Sequence, residues 1–226
     1  DSGIYYFDIP TTRLVQIAEV PFGISRFFAR DDGTFLIRLN RFGFSRSSWA
    51  KVDLSTDVVE LVGNSTVAGS GNQVSIRATT MVGQNLVSLS DSAQIGFLDP
   101  SDMTYSAIAG SSVNFNGCLA AKSADEVFQL ARLDGSIDTV NLNNGTSIAG
   151  PAITGDVPAT GSLGNFQCHG AAMVGPDIFA LFMDRNTNEH TGHILSINPV
   201  SGVASSVFIL PGAFSELEPT PPGLFQ

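Results

Sequence analysis

The residues best suited to chemistry in this 226-residue chain are few and scattered. The most polar stretch is Asp184-Arg185-Asn186-Thr187-Asn188-Glu189-His190-Thr191-Gly192-His193. Asp184, Asn186 and Asn188 copy the first three ligand positions of a calcium loop, where alternate oxygen donors wrap one ion. Such a loop also needs Gly at position six and Glu at position twelve, and Glu189 and Leu195 stand there instead. Calcium is therefore the one candidate cofactor, and a solvated hairpin loop is its alternative. His190 and His193 could serve zinc, but no third ligand lies near them in sequence. A second stretch, Asn40-Arg41-Phe42-Gly43-Phe44-Ser45-Arg46-Ser47-Ser48-Trp49, joins flat aromatic faces to planar guanidinium donors. That mixture suits a glycan or a protein surface. Arg41, Phe42, Phe44, Arg46, Trp49 and His190 are the ligand-binding candidates. The alternative is a loop whose phenylalanines fold back on their own strands. His169 has no Ser/His/Asp order or Gly-x-Ser-x-Gly elbow around it, and Gly161-Ser162-Leu163-Gly164 lacks the elbow spacing. No residue is assigned a catalytic role.

Composition narrows the setting of these residues. Charged residues make up 14% of the chain, against about 25% in ordinary soluble domains. Eleven basic and 21 acidic residues give a formal net charge of -10. With no clustered Lys/Arg, the chain is not expected to bind nucleic acid. It contains no apolar run of the length a membrane-spanning helix needs. The chain opens Asp1-Ser2-Gly3 and reads as a mature or trimmed product. Two N-glycosylation motifs are present, with acceptors Asn64 (Asn64-Ser65-Thr66) and Asn144 (Asn144-Gly145-Thr146). Low pI, two lysines and polar-neutral loops agree with secretion or display at the cell surface.

One short pattern recurs five times: an alternating apolar strand, Asp or Asn, a turn, and a second strand. Its anchors are Asp8, Asp53, Asp99, Asn141 and Asn198, separated by 45, 46, 42 and 57 residues. An Asp or Asn side chain can close its own turn by accepting backbone N–H bonds two residues on. Between successive copies lies a second hairpin, with strands predicted at 25–30 and 34–39, 74–81 and 85–89, 114–122 and 126–130, and 165–173 and 177–182. The last two align without a gap at an offset of 51. No window shows helical periodicity.

Two hairpins per unit make four antiparallel strands, the grammar of a propeller blade. On these residues the chain resembles the broad superfamily of extracellular β-propellers, whose outer hairpin runs strand, Asp-x-x-Thr/Ser-Gly, strand, Gly. The resemblance implies a fold and no activity, because the signatures of named propeller families are missing. The expected fold is all-β, a β-propeller of about five blades: four full repeats plus an N-terminal outer hairpin. A β-sandwich is the alternative. Residues 1–212 form the expected domain, and 213–226 a Pro-rich tail. Five outer hairpins meet only four inner ones, so one blade lacks two strands. In order of preference, the tail supplies a strand, the chain is part of a longer one, or another copy donates strands by β-augmentation.

The repeat places Cys118 and Cys168 on inner strands of adjacent blades, one register step apart. A disulfide between blades is the leading reading in an oxidising compartment, and two buried thiols the alternative. The expected function is a structural or interaction module, self-assembling through the incomplete blade. Its partners would be another protein or identical subunits. A lectin-like propeller comes second, with a glycan as ligand. An extracellular hydrolase or lyase comes third, since it would need carboxylates or histidines converging from several inner strands.

Overall fold

The computed structural model describes residues 2–20, 24–30, 33–39, 47–53, 55–56, 58–83, 85–113, 117–131, 135–156, 166–184 and 192–210. They form twenty strands in five sheets, with no helix among the described residues. The first blade holds β1 (Ser2–Asp8) and β2 (Arg13–Val20). The second runs β3 (Ile24–Ala29), β4 (Thr34–Leu39), β5 (Ser48–Asp53) and β6 (Val58–Asn64). The third consists of β7 (Thr66–Val67), β8 (Ile76–Val82), β9 (Asn85–Ser90), β10 (Ile95–Leu98) and β11 (Thr104–Ala107). The fourth is β12 (Cys118–Ser123), β13 (Glu126–Leu130), β14 (Ile137–Asn141) and β15 (Ser147–Ile148). The fifth is β16 (Thr154–Gly155), β17 (Phe166–Val174), β18 (Asp177–Asp184), β19 (Gly192–Ile197) and β20 (Val203–Leu210).

In the second to fifth blades the chain meanders outward from an inner strand: β3, β8, β12 or β17. Each expected hairpin has a counterpart among the described strands, while 114–116 and 165 of the expected inner strands lie outside the described residues. Each outer turn closes as its anchor residue dictates. Asp53 Oδ1 accepts the Ser55 N–H and hydroxyl at 2.8 and 2.7 Å, and Asp99 Oδ1 accepts those of Ser101 at 2.8 and 2.6 Å. Asn141 and Asn198 take the N–H groups of Asn143 and Val200 at 2.9 and 3.0 Å. Asp8 accepts the Thr11 hydroxyl.

The core lies between blades, because a blade has two apolar faces and cannot cover either one itself. Phe28, Leu36 and Trp49 of the second blade pack on Ile76, Leu86 and Tyr105 of the third. Val87, Leu89 and Ile95 pack on Leu119, Val127 and Val140 of the fourth. Cys118, Phe128 and Leu130 meet Phe166, Phe182 and Leu195 of the fifth. Each such side chain contributes roughly 1.5–3 kcal/mol by leaving water. The ring closes where Phe7 and Leu14 of the first blade pack on Leu181, Met183, Ile194 and Leu210 of the fifth. The Phe7 and Phe208 rings lie 5.4 Å apart there.

Two strands had no signal in the sequence. After β6, the crossing segment continues as β7 and pairs parallel with β11 (Thr104↔Thr66, Tyr105↔Val67). After β15, β16 pairs parallel with β20 (Thr154↔Val203, Gly155↔Ala204). Each crossing thus caps the outer edge of the next blade. The approach is close. Gly202 has φ +75°, and a Cβ there would lie 2.0 Å from the Ala152 carbonyl oxygen. Gly202→Ala should lower the melting temperature more than Gly83→Ala, whose Cβ would meet nothing within 4 Å. Both variants carry the left-handed backbone cost of about 1–2 kcal/mol, so equal losses would show that the seam yields.

Candidate functional site

Strand order puts the connections of the ring on two faces. The β1–β2, β5–β6, β10–β11, β14–β15 and β19–β20 turns share one face with the inner hairpin turns. The end of β4 and start of β5, the end of β18 and start of β19, and the described parts of the crossings between blades lie at the other. The second face is where the sequence places its candidate ligand residues.

Its best described part is the base of the 40–46 connection. Ser47 and Ser48, at the foot of β5, are buried. The Ser47 hydroxyl donates to Gln73 Oε1 at 3.2 Å and the Ser48 hydroxyl to Asn64 Oδ1 at 2.7 Å. Buried Ser65 donates to the Val74 carbonyl at 2.6 Å. Arg38, leaving β4, donates to Ser75 Oγ at 3.2 Å and to the Ile76 carbonyl. Side chains of the second blade therefore hold the crossing to the third. The base is rigid and polar, made of neutral hydroxyls and amides around one guanidinium. It can position a loop and offer hydrogen bonds.

Arg41, Phe42, Phe44, Arg46, Asn186, Asn188 and His190 lie outside the described residues. So does the calcium expectation, apart from the backbone of Asp184, which ends β18 opposite Phe166. Trp49 corrects the expectation. Its indole is 0% exposed and packs against the third blade instead of standing on the face. The strand alternation that exposes a neighbour in an isolated sheet buries Trp49 here, because a second blade covers that face. Its Nε1–H finds no acceptor among the described residues.

Cys118 and Cys168 form the disulfide, with Cα atoms 5.5 Å apart. It joins the inner strands β12 and β17 of neighbouring blades, the leading of the two sequence readings. His169, next in the chain, is half-buried on β17. On the same strand Phe166 meets the His193 ring edge-on at 5.4 Å.

The other face carries an open cleft of about 440 Å³, lined by Asn85, Phe97, Asp99, Pro100, Asp102 and Thr104 among others. Its carboxylates are already engaged in turn closure: Asp99 by Ser101, and Asp102 by the Thr104 N–H at 2.8 Å. The Ser55 and Ser101 hydrogen bonds hold the Asp53 and Asp99 carboxyls below the usual range. Burial pushes the Tyr105 phenol up to about 12, where it donates to the Gln94 carbonyl at 2.7 Å. Among the described residues, no three His, Cys, Asp or Glu side chains gather as a metal would need.

Five radial four-stranded units, one of them half-built among the described residues, define a β-propeller. No protein-family profile matches the chain, and no curated protein does. The fold does recur among solved structures. A glycoside hydrolase is similar over 89% of this chain and 54% of its own, at 7% identity and TM-score 0.60. TolB from Acinetobacter baumannii is similar over 95% of this chain and 52% of its own, at 17% identity and TM-score 0.46. The Cps50 (Swd1) β-propeller domain of Myceliophteria thermophila is similar over 88% and 58%, at 11% identity and TM-score 0.41. This chain spans only 52 to 58% of the length of those three. At such identities the likeness extends to the fold alone.

Two outcomes follow for the residues placed here. Trp49→Ala should cost about 3–5 kcal/mol of stability in urea unfolding, as large core truncations do. A surface ligand contact would leave the unfolding midpoint unchanged. Replacing both cysteines by serine should cost about 4 kcal/mol, the loop-closure entropy of a link spanning 50 residues. The reading is the shift in unfolding midpoint between oxidised and cysteine-free protein.

Proposed function

We propose that this chain is a secreted or cell-surface propeller that works by binding a polypeptide and not by catalysis. The observation that carries the reading is the first blade. Among the described residues it holds two strands, while every other blade holds four or five. Among the described residues, the ladder of β1 is with β2. A strand edge presents a row of backbone donors and acceptors, and an added strand satisfies them. Tyr5 and Val15 add exposed apolar surface to the same hairpin. A second copy of the chain is the natural donor, because the blade it would complete is the repeat this chain already builds.

Two further features support the reading. The disulfide suits an oxidising compartment. The acidic side chains Asp8, Asp53, Asp99 and Asp102 close turns, which is scaffold work and not proton transfer. Light scattering on the purified chain across a concentration series tests self-assembly. The expected result is a mass that rises with concentration to dimers or longer chains. A single compact monomer at every concentration would sink it.

A further inference from the structure

We infer that Asn144 is a site of N-linked glycosylation and that Asn64, the other acceptor motif, remains bare. The inference rests on the secretory route proposed above and adds where the carbohydrate sits. Both motifs carry Thr at the third position, so sequence alone does not rank them. The fold treats them differently.

Asn144 lies in the exposed β14–β15 turn. Its Oδ1 accepts the Thr146 N–H at 2.9 Å and the Thr146 hydroxyl at 2.7 Å. The acceptor amide and the hydroxyl that a transferase must read are therefore held together as one exposed unit. The Asn144 Nδ2 enters no hydrogen bond among the described residues. Gly145, between the two, is anchored from behind. Its φ is +72°, and a Cβ there would lie 2.5 Å from the Ser111 nitrogen of the preceding blade. The backbone is pinned while both reactive side chains stay in water.

Asn64 ends β6 and leads directly into the seam between two blades. Its Oδ1 accepts the buried Ser48 hydroxyl at 2.7 Å. Ser65 is fully buried and bonded to Val74. The Thr66 N–H donates to the Met103 carbonyl at 3.0 Å, inside the β7–β11 ladder. Presenting this motif to an enzyme would pull β7 off the third blade. The transfer itself needs a lipid-pyrophosphate-linked oligosaccharide. Asn144 Nδ2 bonds to the anomeric carbon, the anomeric C–O bond breaks, the lipid pyrophosphate leaves with the electron pair, and the amide gives up one proton. The product would stand on the turn face. It would leave open the face at which β4 ends and β5 begins.

The test directs the chain through a eukaryotic endoplasmic reticulum behind a signal sequence and measures mass before and after amide-glycan removal. Glycopeptide mapping assigns the site. One glycan is expected, lost in Asn144→Gln and in Thr146→Ala, and kept in Thr146→Ser and Asn64→Gln. Carbohydrate on Asn64, or an unmodified Asn144, overturns the inference. Mass is read on retained as well as secreted chain, which separates the two ideas. A retained chain modified at Asn144 supports the inference and counts against the secretory reading alone.

Discussion

A blade of four twisted strands has two apolar faces and no means of burying either. Everything else in this structure answers that constraint. Phe28 and Trp49 are buried only because the third blade stands against them, and Phe166 and Phe182 only because the fourth blade does. The hydrophobic interior is therefore a set of separate seams around an axis and not one central core. Each seam is local to two neighbours, so the ring is the smallest arrangement that leaves no apolar face in water.

The same constraint sorts the polar residues. With sheet faces given to packing, few strand positions can carry charge, and exceptions such as Lys51 and Arg77 are only partly buried, in keeping with a charged fraction of 14%. One face of the ring is made of turns that use Asp and Asn to close themselves. The other is made of connections braced by serines, amides and Arg38. The first is chemically occupied by its own architecture. The second is a braced base from which connections depart, the usual division between scaffold and loop.

Much of this was legible because it is written in local rules. Four of the five anchors, Asp53, Asp99, Asn141 and Asn198, close their turns by accepting an N–H two residues on, and Asp8 accepts the Thr11 hydroxyl instead. The alignment at an offset of 51 placed Cys118 and Cys168 on neighbouring inner strands, close enough to be joined. The illegible parts depend on what lies across a seam. β7 and β16 are two-residue parallel pairings, too short to show a period and stabilised by a blade distant in sequence. Trp49 fits an exposed binding loop and a buried seam equally well by residue type. Only the position of the neighbouring blade decides between them. The two glycosylation motifs, alike in letters, differ for the same reason.

The seams also differ in how they would carry mechanical load. The junction of the fourth and fifth blades is covalent, through Cys118 and Cys168. A crossing segment hydrogen-bonds the outer strand of the fifth blade at the same junction, and another does so between the second and third blades. Between the fifth blade and the first, the described contacts are side chains alone: Phe7 and Leu14 against Leu181, Met183 and Leu210. Tension drawn tangentially around the ring would be shared unequally between the covalent junction and the one whose described contacts are side chains. In that respect the ring resembles a clasp more than a uniform hoop, fixed at the disulfide and caught at the aromatic contact of Phe7 and Phe208.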